Sequence, residues 1–220
     1  MIKISNRLKS LTKYIYKDDA IIDVGCDHAL LDIYLVLEGV VDKIYVCDVN
    51  ENALDNGKRN IEKYDLTNKV IPILSYGIEA TYELNVDTLV ISGMGSKNII
   101  DILKSPYLNK FYKLILQANN NHAELRAFII NRGYEIVDEE IVVDGGITYI
   151  NIVCIKTNKE IRLKNEEIEF GPILIKDKSN LDYFINMKNT YSDIYDKSRN
   201  DGIKIKMDML DEIIASLVNE

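Results

Sequence analysis

Residues 134–156 read YEIVDEEIVVDGGITYINIVCIK. Two β-rich runs, 134–143 and 147–156, are joined by Asp144-Gly145-Gly146, which favours a tight hairpin because glycine takes a positive φ without steric cost. The preceding sequence has a different rhythm. Short apolar segments at 20–24 (AIIDV), 43–49 (KIYVCDV), 69–74 (KVIPIL), 87–92 (DTLVIS) and 113–117 (KLILQ) have strand character. Helical stretches at 29–38, 51–64, 96–103 and about 122–131 follow four of them. Apolar strands alternating with helices predict a parallel α/β sheet covered on both faces. The closing hairpin then predicts an antiparallel addition to that sheet.

Further out lie two helical segments. Ile4, Leu8, Leu11 and Ile15 form one stripe, which predicts a helix from Ser5 to about 15 with Ser5 as its N-cap. Lys3, Arg7, Lys9, Lys13 and Lys17 all precede the first acid, Asp18. At the other end, after a polar connector, Leu181, Phe184, Tyr191 and Tyr195 share one face. Ile203, Met207, Leu210, Ile214 and Leu217 alternate 4-3-4-3, the spacing of a coiled-coil seam, and SRNDG (198–202) supplies the reversal. This predicts an antiparallel helical hairpin. Its seam can close on its own chain or on a second copy; a monomer is the expectation.

The chain has 220 residues, enough for one domain and an appendage. Lys and Arg number 27 against 35 Asp and Glu, a net charge of −8. That balance excludes a polybasic binder acting through bulk charge, but not a nucleic-acid enzyme with one local basic face. Cys26, Cys47 and Cys154 are odd in number and widely spaced, which reads as reduced thiols in a cytoplasmic protein. No apolar run is long enough to span a membrane, and the first ten residues do not read as a signal peptide. With two His and no Cys/His cluster, no metal site is expected.

A parallel sheet ending in an antiparallel hairpin matches the Rossmann-like methyltransferase fold better than a dehydrogenase fold. Ligands of such sheets collect beyond the carboxyl ends of the strands. Four features fall there: Asp23-Val24-Gly25-Cys26-Asp27-His28, Asp48, Ser75-Tyr76-Gly77 and Ser92-Gly93-Met94-Gly95. Gly25 allows close approach of a ligand to the backbone, and Asp48 suits the two hydroxyls of a ribose. The turn lacks GxGxxG and carries Asp27, which disfavours a pyrophosphate and NAD. S-adenosylmethionine has no phosphate and carries a sulfonium cation, which acids tolerate. Asp27 is a candidate catalytic acid or an N-cap of the helix that follows. His28 reads as a turn residue or a base, and His122 as the start of a helix.

The runs ISNRL (4–8), IIDVGCDHALLDIYLV (21–36), ISGMGS (91–96), LILQANNNHAELRAFI (114–130) and FGP (170–172) resemble the TrmK family of bacterial tRNA (adenine-N1)-methyltransferases, which act on the adenine at position 22. The resemblance extends to the C-terminal helical pair. It implies an S-adenosylmethionine-dependent domain over 1–158 with its N-terminal helix, a connector over 159–177, and a helical hairpin over 178–220. It implies that Asp23, Gly25 and Asp48 hold the cofactor and that Gly93, Met94 and Gly95 line its methionine end. Tyr76 and Gly77 would border its adenine; the family usually has an acid where Tyr76 stands. By the same resemblance Asp27 contacts the target adenine, with Arg7 and His28 near it. Gln117 and Asn119 stand where the family reads QPN and would serve the substrate side.

A tRNA partner must be reconciled with an acidic chain. Lys3, Arg7, Lys9, Lys13 and Lys17 are the expected phosphate-facing surface, extended by Lys97, Arg126 and Lys204. The helical hairpin, with six positives against eight negatives from Lys178 on, is not an electrostatic clamp. Two other readings stay open at this point: a methyltransferase of the same fold acting on another RNA, a protein or a small molecule, and an RNA-binding relative that has lost its cofactor.

Overall fold

β1 (Ile21–Val24) is buried along its whole length, as a strand with neighbours on both edges and both faces must be. The computed structural model describes residues 2–219, in two compact units, Met1–Arg162 and Leu163–Glu220. In the first, β1 is flanked by β2 (Ile44–Asp48) and β4 (Thr88–Met94), with β3 (Val70–Leu74) beyond β2 and β5 (Lys113–Ala118) beyond β4. All of these pair in parallel. The hairpin β6 (Tyr134–Asp144) and β7 (Ile147–Lys156) completes the order β3-β2-β1-β4-β5-β7-β6, with β7 antiparallel to β5. Gly145 and Gly146 turn it with φ of 58° and 78°, the left-handed pair that a two-residue turn requires. Helices α2 (Leu30–Leu37), α3 (Glu51–Lys63), α4 (Ser96–Leu103) and α5 (His122–Asn131) follow β1, β2, β4 and β5. Two 3₁₀ turns, Glu79–Glu83 and Pro106–Lys110, lie in stretches that carry no helical period.

Two register shifts shape the sheet. On β4, Ser92 pairs with Gln117 and Met94 with Ala118, so Gly93 is left over as a bulge at the carboxyl end, with φ +79°. On β6, Ile136 pairs with Cys154 and Asp138 with Val153, which leaves Val137 unpaired and turns Glu139 inward. There Glu139 meets Nε of Arg126 on α5 at 2.7 Å, with side-chain exposures of 0% and 1%. The expectation that Arg126 faces phosphate is thereby corrected. Its charge is consumed inside the unit, because the bulge reverses which side of β6 faces the core.

The N-terminal helix is shorter than its stripe predicts. α1 covers Asn6–Leu11, and a 3₁₀ turn follows at Thr12–Tyr14. Ser5 accepts the Leu8 N–H as predicted, and the Asp144 carboxylate accepts the Arg7 N–H at 3.2 Å. The helix stops early because Lys113 of β5, itself buried, donates to the Tyr14 carbonyl at 3.0 Å and pairs with Asp19.

In the second unit, the expected connector is partly helical: α6 spans Asn165–Phe170, and Phe170 is buried edge-on against Phe184, 6.4 Å between centroids. α7 (Leu181–Ser198) ends on Arg199 in a left-handed conformation, and Asn200 caps α8 (Asp201–Asn219) by accepting the Gly202 N–H at 2.8 Å. Leu210 and Leu217 of the expected seam are buried and Ile214 is half-buried; Ile213, outside that stripe, is buried as well. Leu174–Lys176 packs on that flank of α8 and covers Ile213, a contact that a featureless connector does not supply.

A second buried pair joins β1 to α2. Asp23 is 5% exposed and Asp32 fully buried, and among the described residues neither Asp32 oxygen has a well-formed hydrogen bond. The group facing them is the Asp23 carboxyl, so the pair is satisfied when one of the two is protonated. Burial pushes Asp23 up to about 7, against the opposing pull of Arg7, and burial also raises Asp32.

Glu139→Ala leaves Arg126 buried without its counter-ion and is expected to cost about 3–5 kcal/mol, read by urea unfolding. Glu139→Ala combined with Arg126→Met is expected to recover much of that loss. Asp23 keeps its proton in the fold over a pH range where the unfolded chain has lost it, so unfolding releases a proton there and stability falls as pH rises from about 4 to 7. Asp32→Asn, which supplies a donor without charge, is expected to flatten that decline and raise the thermal midpoint at pH 8.

Candidate active site

The turn after β1 must change direction within a few residues while leaving room for a ligand, and its backbone shows how. Gly25 has φ +79°, and a Cβ there would lie 1.9 Å from Cε of Met94. Two cavities open at the carboxyl ends of the strands, and Gly25 lines both. The first, about 250 Å³, is bordered by Asp48, Val49, Tyr76, Gly77 and Met94. The second, about 210 Å³, is bordered by Arg7, Asp23, Asp27, His28 and Gly93. The bare backbone at Gly25 is thus the partition between them.

In the first cavity, Asp48 ends β2 and one of its oxygens accepts the Asn50 N–H at 2.8 Å, which orients the carboxylate. Gly77 has φ +53°, a Cβ there would crowd Ile102 at 3.2 Å, and its carbonyl accepts the Cys47 thiol at 3.4 Å. Tyr76 and Val49 stand at the rim, 71% and 63% exposed, so an apolar ring entering there meets two open side chains. Asn98, Asp101 and Ile102 of α4 also line this cavity and are not among the residues expected from the sequence. Their spacing of three and four on the helix that follows Gly95 is the signal that marks one face. Gly95 lies outside both cavities. It is the N-cap residue of α4 with an ordinary φ of −69°, next to the cavity-lining Met94 and with Asn120 beside it.

The second cavity carries the charge. Asp27 has φ +44° and its side chain is 63% exposed; His28 Nε2 lies 3.5 Å from its Oδ2. Asp27 does not cap α2: the cap position is Ala29, itself at φ +52°, with no side-chain cap bond. Cys26 also lines the cavity, and burial with the nearby carboxyls pushes its thiol up, which favours the neutral form. Asp23, expected beside the cofactor, borders this second cavity.

Arg7 reaches the site from α1, but inward. Its Nη1 donates to Gln117 Oε1 at 2.9 Å and would be 3.3 Å from a Cβ on Gly93; the Tyr149 ring lies 5.5 Å from its guanidinium carbon. Gln117 is fully buried and donates onward to Asn151, so it holds Arg7 in place and does not face a substrate, a correction to its expected role. The side chain of Asn119 donates to the Gly93 carbonyl at 3.0 Å and its backbone N–H to Met94 at 2.8 Å, which fastens the β4 bulge. Lys9 is exposed, with no ion pair among the described residues. Lys13 is not an open cation: it pairs with Glu140 of β6 at 2.8 Å. His122 begins α5 away from both cavities, its ring bound to the Ala118 carbonyl and burial lowering its pKa. Among the described residues, no group of three or more His, Cys, Asp or Glu is placed to hold a metal ion, and no helix is long and apolar enough to cross a membrane.

The donor set of the first cavity fits a nucleoside without phosphates: an oriented carboxylate, an open rim at Tyr76 and Val49, and a soft Met94 edge packed on Gly25. The chain matches the methyltransferase-domain family over residues 4–152. It is 34% identical to a putative tRNA methyltransferase of Mycoplasma genitalium over 162 residues, 71% of this chain and 72% of that one. It is 27% identical to the tRNA (adenine(22)-N(1))-methyltransferase of Bacillus subtilis over 184 residues, 81% of this chain and 77% of the relative. The solved structure of M. capricolum TrmK in complex with the natural cofactor product S-adenosyl-homocysteine matches at a TM-score of 0.87 and 30% identity, covering 97% of this chain and 99% of that chain. Sequence and fold agree over most of the length, and the chain belongs to the TrmK family of methyltransferase-domain proteins.

Proposed function

We propose that the protein methylates N1 of the adenine at position 22 of tRNA, taking the methyl group from S-adenosylmethionine. The single observation that carries the division of labour is the shared wall at Gly25. A donor in the first cavity and a base in the second approach each other across a residue with no side chain. The relatives named for tRNA and adenine methylation support the substrate.

The sulfonium of the donor supplies a methyl carbon that is already activated. The chain's own work is to align and to compensate charge. Asp48 holds the ribose hydroxyls, and Tyr76 with Val49 flanks the adenine of the cofactor. The Gly25 backbone and Met94 guide the methionine end toward the partition, where alignment itself lowers the barrier by roughly 7–11 kcal/mol. Adenine N1 becomes cationic as it is methylated. The exposed carboxylate of Asp27 compensates that charge and accepts the N6 proton in a hydrogen bond. N1 lies inside a Watson–Crick pair, so the target must leave its helix to enter the second cavity. Arg7 forms the roof of that cavity, and Lys3, Lys9 and Lys17 remain as the exposed cations that meet phosphate. Tyr76 stands at the open rim of the first cavity, where its ring can border the adenine of the cofactor in place of the family's usual acid. The protein acts in the cytoplasm as a monomer in this reading, because the α8 seam closes against its own chain.

Asp27→Asn is expected to lower methyl transfer to tRNA by about 10²–10⁴-fold while calorimetric binding of S-adenosylmethionine is unchanged. Turnover near that of the parent protein overturns the role of Asp27. Lys9→Ala is expected to reduce the slope of log K against log salt for tRNA binding by about 0.7–0.9, one phosphate contact. Lys13→Ala, whose charge is already met by Glu140, is expected to change it less.

A further inference from the structure

The candidate acid sits in an unusual piece of backbone. Asp27 and Ala29, one residue apart, both hold φ in the left-handed region, at +44° and +52°. Neither is glycine, so the turn is under steric strain that some neighbour must hold. Its internal bonds are few: the Ala29 N–H donates to Cys26 at 2.8 Å, and the Ala29 carbonyl accepts from Ile33 at 3.0 Å. The carbonyls of Asp27 and His28 both face α3.

On α3, Gly57 is buried in the middle of the helix, where its own backbone does not call for glycine. The reason for it lies across the gap. A Cβ at Gly57 would stand 3.0 Å from the Asp27 carbonyl oxygen and 3.5 Å from Cβ of Ala29. Three residues on, on the same helix face, Asn60 Nδ2 donates to the His28 carbonyl at 3.0 Å. One carbonyl of the turn is therefore admitted by a missing side chain, and the next is held by an amide. Neither Gly57 nor Asn60 borders either cavity.

We propose that Gly57 and Asn60 form a clamp on α3 that sets the direction of the Asp27 carboxylate, making them positioning residues for methyl transfer. The inference rests on the reading of Asp27 as the group that meets the target base. Asn60 fixes the His28–Ala29 peptide, the second after Asp27, and Gly57 lets α3 lie close enough for that bond to form. A shift of the turn away from α3 swings the carboxylate while leaving Asp48 at the end of β2 and Tyr76 and Gly77 in the turn after β3. Loss of the clamp should therefore act on turnover and spare the donor site.

The test uses the full chain with S-adenosylmethionine and tRNA. Asn60→Asp keeps the shape of the side chain but points an acceptor at the His28 carbonyl, so it breaks the bond without opening a cavity. It is expected to lower kcat by about tenfold to a hundredfold, the penalty of a reacting group displaced by about 1 Å, with donor Kd and the KM for tRNA within about twofold of the parent. Gly57→Ala is expected to do the same. In an Asp27→Asn background, Asn60→Asp should add little, since both act through one group. The clamp is overturned if Asn60→Asp turns over like the parent, if donor binding falls in step with kcat, or if its effect multiplies fully with that of Asp27→Asn. Failure of the Asp27 reading is distinguishable, because Asp27→Asn alone then remains active. Should Gly57→Ala fold poorly, the Asn60 series decides.

Discussion

A single position without a side chain, Gly25, separates two cavities that together can hold two reactants. Any L-residue there would be strained at φ +79° and would drive its Cβ into Met94. The rest of the site is arranged around this constraint. β1 must be straight and fully buried to deliver Gly25 to the carboxyl edge, and β4 must bulge at Gly93 so that Met94 lies across it. Asn119 fastens the bulge from the end of β5. Three neighbouring strands thus converge on one partition, which is why ligands of such sheets gather at this edge.

The polar interior ties the N-terminal helix to that edge. Arg7 bonds Gln117, Gln117 bonds Asn151, and Asn151 donates to Ser10 at 2.8 Å and to Glu140 at 3.1 Å. Gln117 and Asn151 are both fully buried, so each amide group must find partners inside, and the chain of bonds meets that demand. The consequence is functional. α1 carries basic residues toward the second cavity, yet two of the expected five point their charge into the fold or onto Glu140. The basic surface expected around α1 is thus partly engaged within the fold.

The clamp on α3 adds a second layer. The turn that bears Asp27 is strained by two left-handed residues, and the helix that faces it meets it through Gly57 and Asn60, which line neither cavity. Such strain persists only where surrounding structure over-determines it. The Asp23–Asp32 pair, one helical turn away in the same β1–α2 unit, is likewise costly when ionised and is tolerated beside the site.

The order of elements, the hairpin at Asp144-Gly145-Gly146, and the placing of Gly25, Asp27, Asp48 and Gly77 at the carboxyl ends of the strands were all readable from the sequence alone. Strand periodicity, turn chemistry and capping are local properties, expressed within a few residues of where they act. Which distant charges meet was not readable. Arg126 looked like an exposed cation until the bulge at Val137 turned Glu139 toward it, and Gln117 looked like a substrate contact until β7 brought Asn151 alongside. Lys13 and Gly57 have the same lesson: each is defined by a neighbour far away in the chain, and only the register of strands and the packing of helices decides who that neighbour is.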